Sequence, residues 1–257
     1  MHDANESSRR LAQSLQHARL IQRAILPKRD VLEATLSDHF QLWEPRDIVG
    51  GDFYLCQPAG RGFLVGVVDC TGHGVPGALG TMLAHAVLDQ AMGVIGKDPA
   101  SVLEHTDRTV RELLQADGGE APEMGLDMGL CWCDRRAGRL VYAGAHNSLL
   151  WADGETVVRV KGDRRSLGYT SMGPPARFTN HVVDMPPGRA FYLTTDGFVD
   201  QPNERGRSFG WTRFQEMVAR HAALPLTAQA EAFAETLIEY QGSSTRRDDV
   251  TVLGFRA

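Results

Sequence analysis

Apolar and polar positions follow two periods along this 257-residue chain. Over residues 7–26, Leu11, Leu15, Ala18, Ile21 and Ile25 recur at helical spacing, with Arg9, Arg10, Gln13, Gln16 and Arg19 opposite. This predicts an amphipathic helix, with Asn5 or Ser7 as its cap and Pro27 as its stop. From residue 39 the period shortens. HFQLWEP (39–45), DFYLCQP (52–58) and FLVGVVD (63–69) read as strands, and Gly50-Gly51 as a turn or bulge. Two helices follow. One covers 76–92, with Leu79, Met82, Leu83, Ala86 and Val87 as its apolar face. The other covers 99–115, announced by Asp98-Pro99 and carried by Val102, Leu103, Val110, Leu113 and Leu114. Residues 116–128 read as a flexible glycine-rich loop. Strands recur at 129–133, 139–145, 148–152, 156–160, 181–185 and 189–195; helices at 211–222 and 227–240 precede a strand at 250–255.

Short connections such as Ala152-Asp153-Gly154 favour antiparallel pairing. Strands toward both ends, with helices grouped between them, predict an α+β domain in which an antiparallel sandwich is covered by helices. The expected division is a linker or regulatory helix over 1–27 and one domain over 28–257.

Composition narrows the partners. A net charge of −5 gives no general attraction to nucleic acid or to an anionic membrane. No run of 18 apolar residues occurs and MHDANESSRR has no signal-peptide core, so the expected location is the cytoplasm. The chain would act there free or as the cytoplasmic part of a longer membrane-anchored sensor. Four cysteines stand at 56, 70, 131 and 133. The Cys131-Trp132-Cys133 spacing does not suit a zinc ribbon, and all four read as small buried hydrophobes.

The chemistry lies in acids at strand ends. The strand 63–69 delivers Asp69 to a turn, Cys70-Thr71-Gly72-His73-Gly74. A carboxylate there either caps the turn or faces a cation. Asp52 opens a strand after Gly50-Gly51, Asp196 ends one before Gly197, and Asp248-Asp249 precedes the strand at 250. Each alone reads as a turn residue. Jointly, with no cysteine or histidine cluster beside them, they suit a hard cation such as Mg²⁺ or Mn²⁺.

VGGDFY (49–54), DCTGHG (69–74), FYLTTDG (191–197) and RDDVT (247–251) together resemble the ordered motifs of the metal-dependent PPM-type (PP2C-like) serine/threonine phosphatases, in the bacterial SpoIIE/RsbU branch. LIQRAILP (20–27), GAHNSLLW (144–151) and SLGY (166–169) extend the resemblance over nearly the whole chain. Two departures stand out: GAHN replaces AGHN, and GDFYLC lacks a second acid after the aromatic.

The resemblance implies an αββα sandwich of two antiparallel sheets with two Mn²⁺ or Mg²⁺ ions at one end. It assigns Asp69 to bridge the ions and the Cys70 backbone carbonyl to join one of them. Asp52 would serve one site, and Asp196 with Asp248 the other; Asp248 rather than Asp249 follows from aligning DDVT with DNxT. Asp52, Asp69 and Asp196 carry the catalysis, in which metal-activated water attacks the phosphoester directly. The implied substrate is a phosphoserine or phosphothreonine on a small regulator of the anti-sigma-factor-antagonist type, in a partner-switching pathway. A catalytically weak, phosphatase-like binding or sensor module is the alternative.

Other residues keep two readings. His73 is a general acid or a turn histidine, and His146 has the same ambiguity. Arg46 neutralises substrate phosphate or is simply solvated. Lys161, Arg164 and Arg165 form a solvated face or dock an acidic protein. The 1–27 helix packs on its own domain or pairs with a second copy. The helices at 76–93 and 99–115 form a switch, since moving Pro76–Met92 would drag the Asp69 turn; they are a second candidate route to a homodimer.

Overall fold

The computed structural model describes residues 2–115 and 123–256, without the side chains of 2–8 and of Met172. In chain order the elements are α1 (His2–Ile25), α2 (Arg29–Thr35), β1 (Asp38–Glu44), β2 (Asp52–Ala59), β3 (Gly62–Cys70), α3 (Gly74–Ile95), α4 (Pro99–Leu114), β4 (Leu126–Asp134) and β5 (Arg139–Ala145). Then come β6 (Ser148–Asp153), β7 (Thr156–Lys161), β8 (His181–Asp184), β9 (Ala190–Thr194), α5 (Asp196–Val199), α6 (Gly210–His221), α7 (Leu226–Gln241) and β10 (Val250–Arg256).

The strands form two five-stranded antiparallel sheets, ordered β2-β3-β4-β5-β8 and β1-β10-β9-β6-β7. The period-2 pattern decides how they stack. On β2–β4, Tyr54, Cys56, Val65, Val67, Cys131 and Cys133 point inward and meet Leu149, Phe191, Leu193, Leu253 and Phe255 of the other sheet. The alternate residues, including Phe53, Leu64, Val68 and Leu130, point outward under α3 and α4. Phe40, Tyr192 and Val252 cover the outside of the second sheet beneath α6 and α7, where Phe214 and Phe233 pack. The αββα sandwich expected from the resemblance is the observed fold. All four cysteines are buried and free.

Several expectations need correction. α1 begins at His2, upstream of the proposed Asn5 and Ser7 caps. α2 was not anticipated: too short to show periodicity, it drives Leu32 and Leu36 into the inter-sheet core. Residues 126–128 belong to β4 rather than to a loop, and 116–122 lie outside the described residues. β5 and β6 are not a hairpin, because Gly144–Asn147 carries the chain from one sheet to the other.

The buried face of α3 is also displaced from the expected one. Leu79 is 68% exposed and Ala86 is exposed, whereas Gly77, Gly80, Thr81, Ala84 and Leu88 face inward. The reason is close approach: a Cβ on Gly77 would lie 2.9 Å from Gly51 and collide with the Gly72 carbonyl oxygen. α3 therefore rests on the Asp69 turn through glycine. Leu113 of α4 is likewise 56% exposed, while Val102, Leu103 and Val110 are buried.

Candidate active site

Register brings the first acids together. Asp52 stands directly opposite Asp69, and Asp69 directly opposite Asp127, so three adjacent strands carry a row of carboxylates. Directly opposed residues of an antiparallel sheet share a face, and like charges there cost about 0.2–1 kcal/mol per pair. The row sits where the inter-sheet core ends. From the other sheet, Thr195 after β9 donates its hydroxyl to Asp52 Oδ2 at 2.6 Å and its N–H to the Thr251 carbonyl at 3.0 Å. That connection places Asp196 and the 248–249 pair at the same end.

Asp69, Asp127, Asp196 and Asp248 line one cleft of about 200 Å³, together with Thr71, Ser166 and Tyr169. A larger cavity of about 810 Å³ lies between α1, residues 43–49 and the start of α3, but it lacks this carboxylate set. Asp52 is 2% exposed and sits behind the cleft, bonded to Thr195.

The electrostatics record unbalanced negative charge. Burial first, then the charges of Asp52, Asp196, Asp248 and Asp127, raise the Asp69 carboxyl well above the usual range. Burial and the nearby Asp249 and Asp196 raise Asp52, against the Thr195 hydroxyl bond. Desolvation, then Asp200, Asp248 and Asp127, push Asp196 up to about 6. Asp196 keeps solvent contact, so this desolvation is that of a crowded cleft mouth rather than a sealed interior.

These residues fit hard cations. Asp69 and Asp196 line the same cleft and each adds to the negative charge around the other, an arrangement that a shared proton or a cation between them would relieve. Asp127 Oδ1 is buried without a hydrogen-bond partner. A Cβ on Gly51 would lie 2.6 Å from the Cys70 carbonyl oxygen, so glycine leaves space in front of that oxygen. The donors are all oxygens, as Mg²⁺ and Mn²⁺ prefer. Among the described residues no three acids close into a ready-made ligand triangle. The Cys70 carbonyl and solvent would have to complete the shell.

The acids at 248 and 249 separate clearly. Asp249 is 2% exposed and accepts N–H bonds from Arg46 at 2.7 Å and Gly51 at 2.6 Å, so its carboxylate is spent on backbone. Asp248 faces the cleft. Arg46 donates from its guanidinium to the Arg247 carbonyl at 3.1 Å. His73 caps α3 at the rim, with Nδ1 3.0 Å from Asp47 Oδ2. His146 has φ 49°, the one left-handed non-glycine residue among those described, and lines a neighbouring cavity with Lys161 and Arg164.

Three contributors escaped the sequence reading. Asp127 lay in a segment read as loop; its register opposite Asp69 appears only once β4 is paired. Tyr169 lies over Gly125, whose missing side chain makes room for the ring, and its hydroxyl is 2.5 Å from Thr71 Oγ1. Asp107, fully buried on α4, accepts from Gly168 N, Ala176 N and Arg111 Nε, each at 2.8 Å, and so ties the Tyr169 loop to α4.

Comparison with known proteins gives the family and the fold. The family model described as Stage II sporulation protein E (SpoIIE) matches residues 59–257. The SiaA-PP2C domain of Pseudomonas aeruginosa is 49% identical, with a TM-score of 0.88 and 98% of each chain covered. The RsbU and RsbW domains of a Mycobacterium tuberculosis protein share the fold at 20% identity and TM-score 0.69, over 85% of this chain and 59% of that one. The PP2C phosphatase domain and part of the regulatory domain of SpoIIE from Bacillus subtilis share it at 14% identity and TM-score 0.66, over 85% and 62%. No curated protein matches the chain. The chain belongs to the SpoIIE family of PP2C-type serine/threonine phosphatase domains.

Proposed function

We propose that the chain hydrolyses phosphoserine or phosphothreonine on a small regulatory protein of the anti-sigma-factor-antagonist type, using two Mn²⁺ or Mg²⁺ ions. The observation that carries this reading is the cross-strand row Asp52–Asp69–Asp127, converging with Asp196 and Asp248 at one cleft. Asp69 would bridge the ions. The Cys70 carbonyl would join one ion, Asp52 would act from behind, and Asp196 and Asp248 would hold the other. Bound ions supply Lewis acidity, which activates water and neutralises phosphoryl charge.

The chain's own residues supply the rest. The paired strands hold the acids rigidly, and Thr195 orients Asp52 by its 2.6 Å bond. The same reading places the protein in the cytoplasm, within a partner-switching pathway. It also assigns α1, α3 and α4 to regulation, and a homodimer would form through those helices. Gln22 of α1 supports the regulatory assignment, since it bonds Gly50 O at 2.6 Å beside the acid-bearing turn and Thr81 of α3 at 3.1 Å.

The test is phosphate release from a phosphopeptide with added Mn²⁺, comparing wild type with Asp69→Asn and Asp196→Asn. Metal clamping contributes several kcal/mol to such barriers, so both variants should lose orders of magnitude in rate. Wild-type protein that binds the phosphopeptide and releases no phosphate would instead favour the binding-module alternative.

A further inference from the structure

A basic cavity of about 250 Å³ adjoins the acidic cleft, lined by His146, Asn147, Arg159, Lys161 and Arg164, with Asp163 as its one acid. Two features set the cavities side by side. Arg164 lines the basic one and Ser166, two residues on, lines the acidic one. Asn147 Nδ2 donates to the Thr194 carbonyl at 2.8 Å, two residues before Asp196.

The cavity is built for an anion. The Arg159 guanidinium lies 3.5 Å over the Trp211 ring and its Nε donates to Ser148 Oγ at 3.0 Å, which fixes the direction of its remaining donors. Among the described residues no carboxylate pairs with Arg159, Lys161 or Arg164. Asp163 offsets one of the three charges but pairs with none of them, since its oxygens accept from Thr179 N at 2.7 Å and Thr179 Oγ1 at 3.3 Å. The lining therefore keeps a net positive charge.

Resting on the phosphatase reading, we propose that this cavity receives the carboxylate of an acidic side chain in the phosphoprotein substrate and so sets its sequence preference. Because the two cavities adjoin, the acid flanks the phosphorylated residue in the substrate. A second phosphate is the rival occupant, and the peptides below distinguish the two.

The test compares phosphopeptides carrying Asp or Glu, Asn or Gln, or a second phosphoserine at each flanking position. Wild type should prefer the acidic peptides about tenfold in kcat/KM, the size expected of a charge-assisted hydrogen bond. The ratio should fall to near one in Arg159→Gln. It should also fall in the double variant Lys161→Gln/Arg164→Gln, whose side chains are exposed and whose folding is not at risk. Losses that fall equally on acidic and neutral peptides would mark a structural role and overturn the assignment. So would an unchanged ratio, or a preference for the doubly phosphorylated peptide. Anisotropy of the same peptides as non-hydrolysable phosphonates reads the preference without turnover, so a failure of catalysis leaves the docking result decisive.

Discussion

The carboxylate of Asp249 accepts the backbone N–H of Gly51 at 2.6 Å, fastening the entry of β10 to the turn that presents Asp52. Its neighbour Asp248 faces the cleft instead. Adjacent acids therefore do different work, and substitution should separate them. Asp249→Asn keeps one side-chain oxygen and turns the other into an NH2 donor. One of the N–H groups of Arg46 and Gly51 then loses its acceptor, at a cost of about 1–3 kcal/mol of stability. Asp248→Asn should leave the melting temperature of the metal-free protein unchanged or raised, while weakening Mn²⁺ affinity. Thermal melts and Mn²⁺ titration by calorimetry check the pair; the reverse pattern would exchange the two roles.

Metal-free protein should lose stability as pH rises. Asp196 is raised to about 6 from an ordinary value of 3.8, and Asp52 and Asp69 are raised as well. Acids raised by folding hold their protons more tightly in the native state. Their contribution is full below the ordinary value and is lost as pH climbs through the folded value, for Asp196 between about 4 and 6. Cations bind the charged form, so Mn²⁺ should raise the melting temperature more near pH 7 than near pH 5. Melts in chelator and in Mn²⁺ at both pH values decide this; equal shifts would count against it.

Gly77→Ala should strike the site from outside it. The added methyl has no room between Gly51 and the Gly72 carbonyl, so α3 must move off the Asp69 turn. Overpacking of this kind costs about 1–3 kcal/mol. Mn²⁺ affinity should fall with stability, whereas Leu79→Ala, on the exposed face, should change neither.

Asp107→Ala should be among the most damaging changes far from the cleft. It strands Arg111, which is 7% exposed, and two backbone N–H groups, a loss of about 3–5 kcal/mol. Tyr169→Phe is milder. It removes only the bond to Thr71 and should lower kcat with little change in melting temperature.

Legibility followed the range of the interactions. The sandwich was readable because short apolar runs along β2, β3, β6 and β9, broken by turn residues, are a local property of the chain. Asp52, Asp69, Asp196 and Asp248 were visible as acids at strand ends beside glycines. Asp127 was not, because only pairing to β3 makes it a neighbour of Asp69. The displaced face of α3 was hidden for a related reason. Hydrophobicity picks out Leu79, whereas the contact surface is chosen by how closely Gly77 lets two backbones approach. The separate duties of Asp248 and Asp249 likewise depend on Gly51, nearly two hundred residues away in sequence.

The position of β10, between β1 and β9, also sets the order in which the catalytic centre can come into being. A chain emerging from the ribosome exposes Asp52, Asp69 and Asp127 long before residues 248–256 arrive. Until they do, β1 and β9 lack the strand that joins them, and Asp248 is absent from the cleft. A nascent chain would therefore hold a set of mutually repelling acids with no means of closing on an ion. On the phosphatase reading, hydrolysis would have to await the completed sheet.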